Sequence, residues 1–297
     1  MRNFNSIIPP VIKWSGSKRN VARTLSEYFP KMNRYLEPFV GGGALLPFRK
    51  NSNGIAGDII PELIKLWKSI QTNPEKTAKE YKKRWDKLQL KGYSVYYEIR
   101  DSFNINRCEF DFLFLTRTCV NGLIRYNEKG EFNNSFHLTR PGIHPKSLNE
   151  IIFQWSAIIK NIDFRNCDYR EILQEAKQDD FIFLDPPYGG TKGRYTKTEF
   201  ELDIFYEQLD RLNSIGTKWL LTFDGTAGNR EYGFELPKEI YKNKILIKTG
   251  NSPFTKTMKT TIDEVYESVY LNFDTGVKLP TEFTKQVDQE ITLFSGL

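Results

Sequence analysis

The sequence predicts an α/β fold: a largely parallel sheet interrupted by an inserted, mostly helical segment. Two observations carry this reading. Short apolar strands alternate with helical spacings at both ends of the 297-residue chain, whereas positions 61–155 turn rich in Lys, Tyr and Asn.

Taken in order, Arg34-Tyr35-Leu36-Glu37 reads as a short strand running into Gly41-Gly42-Gly43, and Ala44 to Arg49 as the opening of a helix. Ile55-Ala56-Gly57-Asp58 is a second strand ending in an acid, and Leu63, Ile64, Trp67 and Ile70 have helical spacing. In the insert, helical patterns lead to a β-hairpin around Glu128-Lys129-Gly130. The alternation then resumes, with Ile162-Asp163-Phe164 as strand and Tyr169 to Ala176 as helix. Phe181 to Asp185 is a buried parallel strand, Phe200 to Leu212 a helix, and Lys218 to Phe223 a strand. Lys244 to Lys248 and Val265 to Phe273 close the sheet, the latter too long and alternating for a central place. The catalytic part is thus expected at 1–60 and 156–297, and a recognition part at 61–155.

Composition narrows the class of function. With 39% hydrophobic and 27% charged residues the chain is too apolar to be disordered. A net charge of +6 favours an anionic partner, although a merely basic surface accounts for it equally well. Aromatic residues reach 14%, so some rings are candidates for stacking on bases or a cofactor. No apolar run approaches about 18 residues and the start lacks a signal-peptide core, which predicts a cytoplasmic protein with no membrane partner. Cys108, Cys119 and Cys167 are scattered and the only histidines are His137 and His144, so neither structural zinc nor a disulfide framework is expected.

The most specific motif is Asp185-Pro186-Pro187-Tyr188, directly after an apolar strand. The prolines stiffen the turn and remove two donors, so Asp185 and the Pro186 carbonyl become a fixed pair of acceptors. Two acceptors gripping an exocyclic base amine favour pyramidal nitrogen and free its lone pair. Tyr188 offers a ring on which an extruded base can stack. A second motif, Glu37-Pro38-Phe39-Val40-Gly41-Gly42-Gly43, is a glycine turn of the kind that approaches nucleotides. It lacks the Gly-Lys-Ser/Thr of a phosphate loop, which disfavours ATP. Asp58, about 20 residues on, ends the next strand, where a carboxylate accepts ribose hydroxyls. The third segment, Lys13-Trp14-Ser15-Gly16-Ser17-Lys18, reads on its own better as a basic surface turn with one buried indole.

Together, K-W-x-G-x-K, E-P-F-x-G-x-G, an insert and then D-P-P-Y resemble the Dam-type, alpha-arrangement family of adenine-N6 DNA methyltransferases over at least positions 11–225. The resemblance implies a seven-stranded, Rossmann-like methyltransferase sheet and a target-recognition domain carrying a β-hairpin. It implies S-adenosylmethionine as donor, double-stranded DNA as partner, no metal, and a flipped adenine as acceptor. By the resemblance Trp14, Lys18, Glu37, Phe39, Gly41 and Gly43 serve the cofactor, Asp58 its ribose, and Asp168 and Tyr169 its adenine. Asp185 lies between cofactor and base, with Pro186 and Tyr188 completing the catalytic set.

Asn121-Gly122-Leu123-Ile124-Arg125-Tyr126-Asn127 and Gly130-Glu131-Phe132-Asn133 are similar to the family's DNA-entering hairpin. Asn121, Leu123, Arg125 and Asn133 are the implied DNA contacts, with Arg125 reading a guanine and Leu123 a thymine methyl. Val120 stands where the family has an intercalating tyrosine, and Ser135-Phe136-His137-Leu138 where it has Pro-Phe-Gly-Arg; the second half of the site is left open. Lys192 and Arg194 lie in a basic loop after the catalytic turn that closes over DNA or is plain linker. The expected reaction is adenine-N6 methylation in a restriction-modification or viral setting, with a cognate endonuclease sharing the site but no stable complex. Cytosine-N4 or RNA adenine methylation, and a non-catalytic DNA-binding role, are the alternatives.

Overall fold

In the computed structural model, which describes residues 8–50, 52–140, 142–187, 200–227, 230–232, 236–251 and 264–277, these signals assemble around one mixed sheet. A short helix α1 (Ala22–Glu27) precedes β1 (Arg34–Glu37) and β2 (Asn53–Asp58). Five helices follow: α2 (Pro61–Thr72), α3 (Pro74–Lys91), α4 (Ser94–Asn106), α5 (Glu109–Thr118) and α6 (Pro145–Ile158). The chain then returns through β3 (Ile162–Asn166), α7 (Tyr169–Gln174), β4 (Asp180–Leu184), α8 (Leu202–Ser214) and β5 (Lys218–Ala227). It closes with β6 (Arg230–Tyr232), β7 (Asn243–Asn251) and β8 (Glu264–Leu271).

The strand order is β3-β2-β1-β4-β5-β8-β7, with β6 pairing β5. β1 to β5 pair in parallel, and β8 runs antiparallel between β5 and β7. Alternating side chains explain the layering. Along β4, Phe181 and Phe183 join one apolar cluster with α1, α2 and α6, whereas Ile182 and Leu184 join another with α7 and α8. The helices α3 to α5 extend the first cluster without a break through Tyr81, Tyr96, Phe103 and Phe112. At the opposite end from the site, Arg34 grips Asp180 by two bonds of 3.0 and 2.6 Å, pinning the β1/β4 register. Among the described residues no helix is long and apolar enough to cross a membrane.

Three local expectations change. Ala44 to Arg49 forms only a 3-10 turn at Leu46–Phe48, because Pro47 has no N–H to donate to a continuing helix. The hairpin reduces to isolated bridges, Tyr126 with Phe132 and Cys119 with Phe136. Its turn is closed instead by Asn127, whose Oδ1 accepts from Lys129 N and Glu131 N at 3.0 and 2.9 Å. The last strand, whose alternation predicts a non-central place, lies between two others. Its polar Glu267 and Ser268 are buried and do not mark a solvent face.

Candidate active site

The sheet order reverses beside β1 and β4, and the carboxyl ends of those strands open the crevice where ligands of open α/β sheets bind. The residues that leave β1, β2 and β4 at this edge are Glu37, Asp58 and Asp185.

The turn after β1 is fixed by two indoles. Gly41 has φ +43°, and a Cβ there would lie 2.6 Å from Trp14 Nε1, so only glycine admits the indole. From α2, Trp67 Nε1 donates to the Gly41 carbonyl at 3.0 Å. The Gly41 N–H donates to Asp58 Oδ2 and the Ile60 N–H to Oδ1, both at 3.1 Å. Burial pushes the Asp58 carboxyl up to about 6, against these backbone donations. The expected pair, glycine turn and strand-end acid, is therefore one hydrogen-bonded unit. Asn166 Nδ2 adds a bond of 3.0 Å to the Asp58 carbonyl from the end of β3. Glu37 sits below the turn, 2% exposed, and accepts from Tyr35 Oη at 2.9 Å. Burial drives its carboxyl well above the usual range, Tyr35 opposing that shift and Asp185 adding to it.

Phe39 and Tyr169 stack with ring centroids 5.2 Å apart, and Phe200 approaches Tyr169 at 5.7 Å. Asp168 caps α7, accepting from Arg170 N at 2.9 Å, and pairs with the Arg170 guanidinium at 2.7 and 3.1 Å. Its carboxylate is thus turned to its own helix start, while Tyr169 carries the aromatic surface.

Asp185 follows β4 directly and is 20% exposed. Its Oδ1 lies 2.9 Å from Lys18 Nζ and accepts from Thr222 Oγ1 of β5 at 3.0 Å. Lys18, 6% exposed, also meets Glu267 Oε1 of β8 at 2.5 Å. Burial raises the Asp185 carboxyl, Lys18 opposes that shift, and Glu267 adds to it. Pro186 is buried and Pro187 exposed, while Tyr188, Lys192 and Arg194 lie outside the described residues.

The recognition residues gather on the insert. Arg125 is exposed and donates through Nε to Asn133 Oδ1 at 2.9 Å, with Asn133 N returning a bond to the Arg125 carbonyl at 3.0 Å. Leu123 is half-buried, and exposed Asn121 has a left-handed φ of +57°. Buried Asn134 ties this loop down, donating to the carbonyls of Val120 and Leu123 at 2.9 and 2.8 Å. The loop touches the N-terminal motif: a Cβ on Gly122, where φ is +64°, would lie 2.5 Å from Lys13 Cβ. Around this contact Lys13, Arg19, Arg117 and Arg140 come near one another. Burial lowers Lys13 first, then Arg117 and Arg140 repel it; burial likewise lowers Arg117, which Arg19 repels. None of the four forms a salt bridge among the described residues.

Sequence reasoning missed Trp67, Thr222, Glu267 and this basic cluster. Apart from Lys13 and Arg19, which lie in and beside a quoted motif, each is distant in sequence from the motif it supports, so no spacing signals it. Thr222 and Glu267 sit in segments read as strands, which placed them in the sheet without assigning them a partner.

Positions 14–250 match the family profile described as D12 class N6 adenine-specific DNA methyltransferase. The chain is 28% identical to the type II methyltransferase M.MjaIII of Methanocaldococcus jannaschii, an alignment spanning 90% of this chain and 99% of that one. It is 32% identical to a DNA adenine methylase of Haemophilus influenzae, over 83% of this chain and 81% of the relative. A DNA N-6-adenine-methyltransferase of Escherichia phage P1 is 29% identical, over 74% of this chain and 30% of the longer relative.

Proposed function

Because the chain belongs to the D12 class of N6 adenine-specific DNA methyltransferases, its substrate is adenine in DNA, and we propose that it takes a flipped adenine from double-stranded DNA with S-adenosylmethionine as donor. One observation carries the catalytic part of this reading. Both donors to Asp185 that the structure supplies converge on Oδ1, and among the described residues Oδ2 has no partner.

The residues at the switch point fit an adenosyl donor. The Gly41 turn carries no side chain toward the crevice, and each oxygen of Asp58 retains a lone pair beyond its backbone bond. The faces of Phe39 and Tyr169 suit a purine. When bound, S-adenosylmethionine supplies an electrophilic methyl group on its sulfonium. The chain supplies orientation and a proton acceptor: Asp185 Oδ2 and the Pro186 carbonyl accept the two hydrogens of the target amine and favour pyramidal nitrogen. Asp185 Oδ2 is then placed to receive the proton the nitrogen sheds. Tyr188 is assigned the stacking face for the extruded base.

Arg125, Asn133, Leu123 and Asn121 are assigned to base and backbone contacts, with a guanine beside the target adenine. Lys13, Arg19 and Arg140 form a cationic patch at the foot of that loop, backed by the buried Arg117 and suited to backbone phosphates. Lys192 and Arg194, outside the described residues, are assigned to DNA contacts from the sequence alone. The relative from Methanocaldococcus jannaschii is named a type II methyltransferase, which supports a protective role opposite an endonuclease of the same specificity.

The test is direct. Purified protein is incubated with S-adenosylmethionine and unmethylated duplex DNA, and the digested nucleosides are identified by mass spectrometry. N6-methyladenine is expected. N4-methylcytosine, or no methylation with RNA methylated instead, overturns the reading.

A further inference from the structure

Deepening that reading and resting on it, we propose that Glu267 is a positioning residue for methyl transfer: it holds the Lys18 ammonium on Asp185 Oδ1 and so keeps Oδ2 open for the target amine.

The geometry is a buried row of charges drawn from three separate parts of the chain. Lys18 comes from the turn ahead of α1, Asp185 from the end of β4 and Glu267 from β8, with distances of 2.9 and 2.5 Å to the shared Nζ. Glu267 is held by main-chain pairing on both sides, opposite Gly225 of β5 and Ile247 of β7. Its place along the row is therefore fixed by the sheet. Lys18 ends a flexible four-carbon stem, which would otherwise let the ammonium settle across both oxygens of Asp185.

A buried carboxylate is costly unless paired, and one ammonium needs only one partner. Glu267 brings a second carboxylate, and so a further negative charge, to the lysine beside the place where the amine nitrogen becomes cationic. Preorganised charge of that sign stabilises the developing positive charge. Glu37 also faces Asp185, and burial raises its carboxyl, which disfavours its charged form. Thr222 is uncharged and donates to the same Oδ1 that Lys18 meets.

The experiment compares wild type, Glu267→Gln, Lys18→Gln and the double variant by single-turnover methylation across pH. It adds 13C NMR titration of the Asp185 carboxyl, assigned with Asp185→Asn, as a readout apart from activity. Glu267 raises the Asp185 pKa by repulsion. Glu267→Gln is therefore expected to lower the plateau rate by about tenfold while moving both the acid limb and the NMR titration to lower pH. The double variant should be no slower than Lys18→Gln, since Glu267 acts through Lys18. An unchanged rate and limb, or full additivity, overturns the proposal. Should Glu267→Gln not fold, Glu267→Asp keeps the charge but retreats by one methylene, and it should slow transfer without moving the limb; an unchanged rate again overturns the proposal. Failure of wild type to form N6-methyladenine counts against the proposed function instead.

Discussion

The crevice at the ends of β1, β2 and β4 and the recognition loop at 120–137 are built on opposite principles. In the crevice each group is held from two sides at the end of the sheet: Asp58 by two backbone N–H groups, Asp185 by Lys18 and Thr222, and Gly41 between two indoles. In the loop, regular pairing shrinks to two isolated bridges, and the side chains of Asn127, Asn133 and Asn134 supply the order. Chemistry common to a family sits on the rigid part, where a shift of an ångström is costly. The proposed assignment puts target choice on a surface whose residues can be exchanged without disturbing the sheet.

This division can be broken at its strongest point first. Asp185→Ala should cost about a thousandfold or more in single-turnover rate while far-UV circular dichroism and DNA affinity stay near wild type. A rate within tenfold of wild type would remove Asp185 from the chemistry. Arg125→Ala should do the reverse. It should lose about 1–3 kcal/mol of discrimination at the neighbouring guanine, read as the ratio of kcat/KM on matched and substituted duplexes, with little change in maximal rate. Equal losses on both duplexes would make Arg125 a phosphate contact.

A smaller effect follows from pH. With burial pushing Asp58 up to about 6, its ionised form is lost as pH falls through that value, so affinity for S-adenosylhomocysteine should drop by about tenfold per unit below it. Calorimetry that shows constant affinity from pH 7 to pH 5 would take Asp58 out of the ribose site. The mildest effect on rate is expected from Asn134→Ala, which leaves two loop carbonyls without their donor. It should lower specificity and destabilise the loop by about 1–3 kcal/mol, read by hydrogen exchange of residues 120–125. A loss of maximal rate equal to the loss of specificity would show the two regions to be coupled more tightly than their construction suggests.

How far the sequence disclosed this arrangement follows the same line. The strand before Asp185 is visible because four apolar residues buried on both faces leave no polar letter. The glycine turn is visible because only glycine suits its approach to Trp14. Pro47 explains why the segment after that turn reads as a helix and folds as a single 3-10 turn. Glu267 was hidden because a charged letter in an alternating strand ordinarily marks solvent, and the lysine that makes its burial tolerable lies at the far end of the chain. Arg117 was hidden in a helix buried along almost its whole length.

The neighbours Lys13 and Trp14 meet the two regions separately, Trp14 lying against Gly41 and Lys13 against Gly122. A single peptide unit therefore joins the floor of one region to the foot of the other. Anyone grafting a different recognition loop onto this scaffold inherits that constraint. Residues 123–137 can be replaced freely at their tips, but the graft must begin on a residue without a side chain, or the peptide that seats the indole is pushed away with it.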